Sequence, residues 1–518
     1  MRMYLILSLM AFGLVYCKKD KTLPLLTVDK MEISLPGIAN RESSIELTTE
    51  AAWQISTGNL PEWLQIEPLS GTGNATIRFI NKVENNEASS EATINITASG
   101  YQPATIKISR KPYYAGPVLK TTGGNSNEML YKAVATRDGG YIAVGYTESD
   151  DKDFLGIANA GGSDGLVIKY AANGAEEWKK TYGGNDDDFL NGVITTEDGG
   201  YLVVGSSISW EGEFQTNKGG FDCWIIKLDA SGNKSWSKLY GSTKDDACFA
   251  AVPVSGGYII AGNNSAGDGD VSNNSGYSDA WILMLNNTGE KQWDRSYGGS
   301  TEYEGVYAAT STPDGNFVLA GYYGSTNGPG AEGGWGTLDA WLMKCNKDGN
   351  MIWSKRFGGS SVDVFQDVCV TEKGELIAVG STQSNDGQIP ERRGNEDALL
   401  VKTSGEGELQ WLRLAAGNNS EAWKAVLYSP DKGIITAGYT SSSDLAGENI
   451  GSGNALLCWY DQNGESPRYK NVGGNDNDAA FFLTKTNNFY VWGGSYQSDN
   501  GDFPHNHGNW DCWSIQFR

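Results

Sequence analysis

The chain has 518 residues, with 63 Asp and Glu against 40 Lys and Arg and a formal net charge of −23. That length holds two domains with real cores. The acidity, with no basic run beyond Lys18–Lys21, argues against a nucleic-acid partner, and two histidines leave little room for histidine-rich catalytic or metal centres.

The N-terminus reads as a processing signal. Arg2 gives a charged start, and Leu5 to Tyr16 is an apolar run too short to span a bilayer as a mature helix. Residues 1–16 are assigned to the signal and 17–24 to a tether. The stretch Leu14-Val15-Tyr16-Cys17 resembles a bacterial lipobox, with Tyr16 where a small residue is usual. The resemblance implies acylation of Cys17 and an outer-membrane lipoprotein held by its lipid alone, on the periplasmic or the external face.

Residues 25–110 contain short runs of alternating apolar character: Leu26–Val28, Met31–Leu35, Ser44–Leu47, Trp53–Ile55, Thr76–Ile80, Ala92–Ile96 and Thr105–Ile108. Such spacing predicts an immunoglobulin-like sandwich. Trp53, then Pro61-Glu62-Trp63-Leu64, Pro68 to Asn74, Asn85-Asn86 and Ala92-Thr93-Ile94-Asn95-Ile96 together resemble the BACON domain. That family is named as Bacteroidetes-associated and carbohydrate-binding, which implies a sugar module or a spacer holding a partner domain off the membrane. Trp53 and Trp63 are expected in the core of so small a sandwich. A linker, residues 111–116, follows.

The remainder, 117–518, repeats about every 58 residues. Each unit opens on a small-residue doublet: Gly123-Gly124, Gly183-Gly184, Gly241-Ser242, Gly298-Gly299, Gly358-Gly359, Ala416-Gly417 and Gly473-Gly474. Four runs rich in Val, Ile, Tyr and Trp follow, bounded by Gly, Asn and Asp, without a helical period. Tyr141, Tyr201, Tyr258, Phe317, Leu376, Ile434 and Phe489 each precede a glycine by four residues, from Gly145 to Gly493. Trp224, Trp281, Trp341 and Trp513, and the second set Trp178, Trp236, Trp293, Trp353 and Trp411, recur in register. These aromatics are expected to pack between adjacent sheets.

Four antiparallel strands per unit, seven times over, predict a seven-bladed β-propeller. The layout resembles the kelch-type propellers, but Tyr146, Ser206 or Asn263 follows the second-strand glycine in place of a second glycine, so kelch functions do not carry over. The last unit lacks an outer strand, and 117–121 has no other partner. That segment is therefore expected to complete the last blade and remove a sheet edge.

Six cysteines besides Cys17 fall within predicted strands. Cys223 and Cys512 share a register in distant units, so the six are read as buried thiols rather than a disulfide scaffold.

No nucleophile elbow, zinc-protease motif, P-loop or dinucleotide fingerprint occurs. His505 and His507 share one glycine-rich loop, which is weak evidence for a metal. Asp268-Gly269-Asp270 has the start of a calcium loop without its later acidic ligand, so Ca²⁺ at Asp268 and Asp270 stands beside the reading of a self-bonded turn.

In a four-stranded meander the long segments 148–163, 206–220, 263–277, 322–337, 381–395, 440–452 and 495–509 leave by the same face as the doublet loops. Long loops in compact domains usually carry function. Trp210, Phe214, Tyr322, Tyr323, Trp335, Tyr496 and Phe503 lie there outside the repeat register and are the candidate ligand-binding residues. The expectation is a monomeric, non-enzymatic envelope lipoprotein that binds a glycan or glycoprotein through this face. The alternatives are an envelope scaffold for another cell-surface protein and a propeller lyase or hydrolase acting on polysaccharide.

Overall fold

The computed structural model describes residues 23–35, 41–56, 60–82, 90–110, 118–157, 159–446, 451–503 and 506–517. Cys17, the signal, the 111–116 linker and His505 lie outside them. The chain divides into two compact units, Met1–Ala115 and Gly116–Arg518. No helix among the described residues is long and apolar enough to cross a membrane.

The first unit is two β-sheets around one core. One sheet runs Thr27–Val28, Arg41–Thr48, Ala75–Asn81, Leu64–Glu67. The other runs Glu32–Leu35, Ala104–Arg110, Ser90–Ala98, Ala52–Ile55, Ser70–Thr72. The period-two alternation of Ile94, Ile96, Ile106 and Ile108 turns one face of each strand inward, where these side chains are almost wholly buried. Trp53 and Trp63 join that core. The Trp53 indole N–H donates to Gly73 O at 3.0 Å, and Arg110 stacks over Trp63.

Among the described residues the second unit is built from seven four-stranded antiparallel sheets. Sheet 1 is Glu128–Ala135, Tyr141–Thr147, Asp164–Tyr170 and Glu176–Tyr182, each strand paired with the next. Sheets 2 to 6 repeat that order. Their first strands are Asp188–Thr195, Ala247–Val254, Glu304–Ser311, Asp363–Val370 and Glu421–Ser429. Sheet 7 takes Asp478–Lys485, Tyr490–Tyr496 and Asp511–Phe517, and its fourth strand is Val118–Thr122. Val118 pairs with Gln516 as Trp178 pairs with Lys169, which puts the closing strand in the outer-strand register. Each first strand packs beside the next, and Asp478–Lys485 packs beside Glu128–Ala135, so the ring is closed. The arrangement is that of a β-propeller.

The tryptophan registers lock neighbouring sheets together. Trp224, Trp281, Trp341 and Trp513 are almost fully buried. Each outer-strand tryptophan lies against a turn glycine of the following sheet: a side chain at Gly232 would meet the Trp178 ring at 2.8 Å, and Gly289, Gly349, Gly407 and Gly464 repeat the contact. Large aromatics at repeated positions fill the wedge between sheets that diverge outward.

Two sequence expectations need correction. Cys223, on the third strand of sheet 2, and Cys248, on the first strand of sheet 3, form a disulfide with Cα atoms 5.2 Å apart. The expectation of buried thiols compared Cys223 only with its repeat equivalent Cys512, in a distant unit; the partner lies in the adjacent unit, because the third strand of one sheet faces the first strand of the next. Cys345, Cys458 and Cys512 are buried free thiols. The second correction is a register shift of one in the last unit. Tyr490 and Gly494, rather than Phe489 and Gly493, occupy the Tyr141 and Gly145 positions, since Tyr490 pairs with Lys485 and Phe517 as Tyr141 pairs with Ala135 and Tyr170.

Candidate functional site

Every first strand carries one unpaired residue at the same place. The ladder to the second strand skips Tyr131, Asn191, Phe249, Tyr307, Gln366, Lys424 and Phe481. A bulge of this kind re-aims its side chain out of the sheet. The second-strand glycine explains why the bulge recurs. A Cβ on Gly145 would sit 1.7 Å from Met129 O, and one on Gly205 would sit 1.8 Å from Phe189 O. The bulged strand pushes a carbonyl into the space where any other residue would carry its side chain.

Because the first strands face the axis of the ring, seven bulges place seven side chains around one pocket. Its volume is about 340 Å³, and its lining is the seven bulge residues with Lys132, within the range of about 300–1,000 Å³ typical of small-molecule sites. Below it, Lys132 Nζ reaches Asp367 Oδ1 at 2.8 Å across the ring, and Asp367 also accepts the Val426 N–H at 3.0 Å. Lys132 and Asp367 both line a second, smaller cavity of about 200 Å³ among Ala250, Ala308 and Val368. The ion pair is thus a bar between an upper and a lower chamber.

Aromatic contacts lead from the pocket toward the long-loop ends of the strands. Phe249, Tyr307 and Tyr322 follow one another at centroid separations of 5.4 Å, and Tyr277 and Tyr303 form an exposed stacked pair at 5.3 Å. On the other side Phe481, Tyr131, Tyr146, Phe189 and Phe221 form a second run. Burial holds the Tyr131 and Tyr322 hydroxyls above the ordinary tyrosine pKa, so both stay protonated donors.

The structure distributes the sequence-predicted residues unevenly. Tyr322 stands beside the pocket residue Tyr307. Trp210 and Trp335 are 60% and 54% exposed on their loops. Tyr322, Tyr323 and Tyr496, expected in the long loops, instead lie at the ends of second strands, where the strands run further than the turn residues suggested. Tyr323 and Tyr496 are buried, as are the loop residues Phe214 and Phe503: Phe214 packs on Trp224, Tyr323 on Trp341, and Phe503 on Tyr496 and Trp513. Asp268 accepts from the Thr243 N–H at 2.8 Å and its hydroxyl at 2.7 Å, while Asp270 accepts from the Gly241 N–H and pairs with Lys218. The same staple recurs as Asp386 to Ser360 N–H, Asp444 to Asn418 N–H and Asn500 to Asn475 N–H. Among the described residues no three Asp, Glu, His or Cys side chains are grouped to hold a metal. The His507 N–H donates to Asp511 at 2.9 Å.

No family model matches the chain. The regulatory protein FlaEY of Caulobacter vibrioides is 22% identical over 407 residues, 70% of this chain and 41% of that protein, so the chain spans about two fifths of its relative. Among solved structures, the β-propeller domain of the Trilobed protease from Pyrococcus furiosus is 9% identical over 72% of this chain and 91% of its own, with a TM-score of 0.39. A Bacteroides ovatus GH5 xyloglucanase bound to a heptasaccharide is 18% identical over 20% of this chain and 22% of its own, with a TM-score of 0.16. At these levels the likenesses carry no functional argument, and the site has to be read from its own residues.

The seven bulge residues were not singled out from the sequence, although a signal was there. An isolated glycine within a strand pattern marks a bulge or a close backbone approach. Each second-strand glycine therefore points to the facing strand, at the one position where aromatic, amide and amine alternate.

Proposed function

We propose that the Gly116–Arg518 unit is a seven-bladed β-propeller that binds a glycan, without chemistry, in its upper chamber and along the adjoining long-loop face. The rest of the chain is read as a lipid anchor at Cys17 and an immunoglobulin-like, BACON-like sandwich that spaces the propeller from the outer membrane. The observation carrying this reading is the bulge ring. Four aromatic faces (Tyr131, Phe249, Tyr307 and Phe481) and two amides (Asn191 and Gln366) line one pocket. Aromatic faces stack on the C–H faces of sugar rings, and amides bond their hydroxyls. The charges of Lys132 and Asp367 are spent on each other, which leaves the pair poorly suited to acid–base work. The Cys223–Cys248 disulfide favours an oxidising compartment and so an envelope location.

A cavity of about 540 Å³ lies in the first unit against Ser70, Thr72, Thr97 and Ser99. Its one aromatic, Trp53, is 3% exposed, so it offers no stacking face, and the spacer role is preferred.

Retention on a panel of immobilised oligosaccharides tests the reading. Tyr307→Ala and Tyr131→Ala should each weaken retention about tenfold, a loss on the order of one aromatic contact, with an unchanged unfolding midpoint. Retention insensitive to both changes, or abolished only with the fold, would overturn it.

A further inference from the structure

Six of the seven bulge residues are uncharged; the seventh is Lys424. Its ammonium makes no hydrogen bond and no ion pair among the described residues, and it lies over the Tyr439 ring, 5.9 Å from the centroid. The acidic side chain that acts on it is Glu396, whose carboxylate already accepts the Tyr439 hydroxyl at 3.2 Å. The other cation of the pocket, Lys132, is neutralised by Asp367. Lys424 is thus a half-buried amine with no committed partner, within a molecule whose net charge is −23.

Burial of an unpaired ammonium is costly and is kept where a partner arrives. The amine pays that cost here: its pKa is lowered from the ordinary lysine value by burial, against a partial lift from Glu396. Its neighbours define what could arrive. Phe481, next in the ring, meets Tyr131 edge-on at 5.9 Å, and Gln366 stands on the other side. A flat apolar wall, an amide and a free cation suit a small ring that carries hydroxyls and one anionic group. The general negative field does not forbid such a ligand, because it is screened beyond about 8 Å at physiological ionic strength.

We propose that the upper chamber selects an acidic sugar, of the uronic- or sialic-acid class, whose carboxylate pairs with Lys424 while its ring lies against Phe481 and Tyr131. This rests on the glycan reading above and adds the charge of the ligand. Lys424 is the specificity-determining residue; the aromatics supply contact area shared by neutral and acidic sugars.

Calorimetric titration of the full chain with trigalacturonate, neutral galactotriose and an acidic hexapeptide tests this. Trigalacturonate should bind at least tenfold more tightly than galactotriose, and Lys424→Gln should erase that margin. Lys424→Arg should keep most of it, and raising salt should weaken only the acidic sugar. Equal binding of the two sugars, unaltered by Lys424→Gln, would overturn the acidic-sugar inference and leave the glycan reading standing. Binding of the peptide with neither sugar would overturn both. Unchanged thermal unfolding of the variants assigns the losses to recognition.

Discussion

At the scale of single residues, the repeat glycines are forced by what lies against them. On the first doublet glycine of sheet 2, Gly183, a Cβ would meet Asp164 Oδ1 at 2.1 Å. On the second, Gly184, it would meet the Ser209 Cβ at 2.7 Å. The one exception at the second position supports this. Where the doublet reads Gly241-Ser242, the residue matching Ser209 is Ala266. The Ser242 hydroxyl accepts the Lys244 N–H as Ser209 accepts that of Asp186, and it helps to hold Asp246 as Ser209 holds Asp188. The hydroxyl has moved to the other strand, and the bonds are kept. The second-strand glycines are more tightly constrained still, because the neighbour is backbone. Gly205→Ala is expected to cost about 1–3 kcal/mol through overpacking, read as a lowered denaturant midpoint at unchanged m-value. An unchanged midpoint would show that the bulge relaxes, and Asn191 would then have left the pocket.

At the scale of elements, neighbouring sheets meet through paired carboxyl groups. The first residue of a third strand stands beside the carboxyl group at the start of the next first strand: Asp164 with Asp188, Asp511 with Glu128, and Asp222 with Asp246, which directly precedes Ala247–Val254. Burial, with the facing carboxylate adding to it, raises Glu128 and Asp222 to about 7 and Asp188 to about 6; burial, with Asp245 adding to it, raises Asp246 to about 6. Asp279 and Asp478 are also raised by burial to about 6. The unfolded values lie near 4, so between about pH 4 and 7 the native state binds more protons than the unfolded chain, and stability falls as pH rises through that window. Other carboxylates act in the opposite sense. Asp198, despite some burial, is held at about 2 by Lys227 and Thr196, so its contribution is lost only as pH falls below about 4. The thermal midpoint should therefore peak near pH 5 and drop by several degrees toward pH 8. A midpoint that rises steadily from pH 5 to pH 8 would refute the paired-carboxyl account.

At the scale of the whole molecule, closure depends on five residues remote in sequence from their sheet. Val118–Thr122 covers the edge of Asp511–Phe517, which would otherwise present a free row of backbone donors and acceptors. Proline at both Lys120 and Thr121 removes ladder donors in either parity. The expected result is a thermal midpoint lower by several degrees and concentration-dependent larger species in size-exclusion chromatography. A monomer with unchanged midpoint would mean that the ring is held by its other interfaces alone.

The sequence by itself determined the repeat, the four strands of each unit, the tryptophan layers and the register of the closing strand. These follow from local rules: strand propensity, turn residues and identical filler at identical places. It also predicted that the long connections leave by one face. What only the tertiary structure decided is which residues of different units meet. Four of the seven candidate aromatics are buried, Tyr323 and Tyr496 in strands and Phe214 and Phe503 in loops, because the polarity of neighbouring residues does not reveal which way a side chain turns. The Cys223–Cys248 bond and the carboxyl pairs join successive units, a relation that comparison of equivalent positions cannot see. The bulge ring is the clearest case. Each member occupies an ordinary strand position in its own unit, and only closure of the ring turns seven separated residues into one pocket.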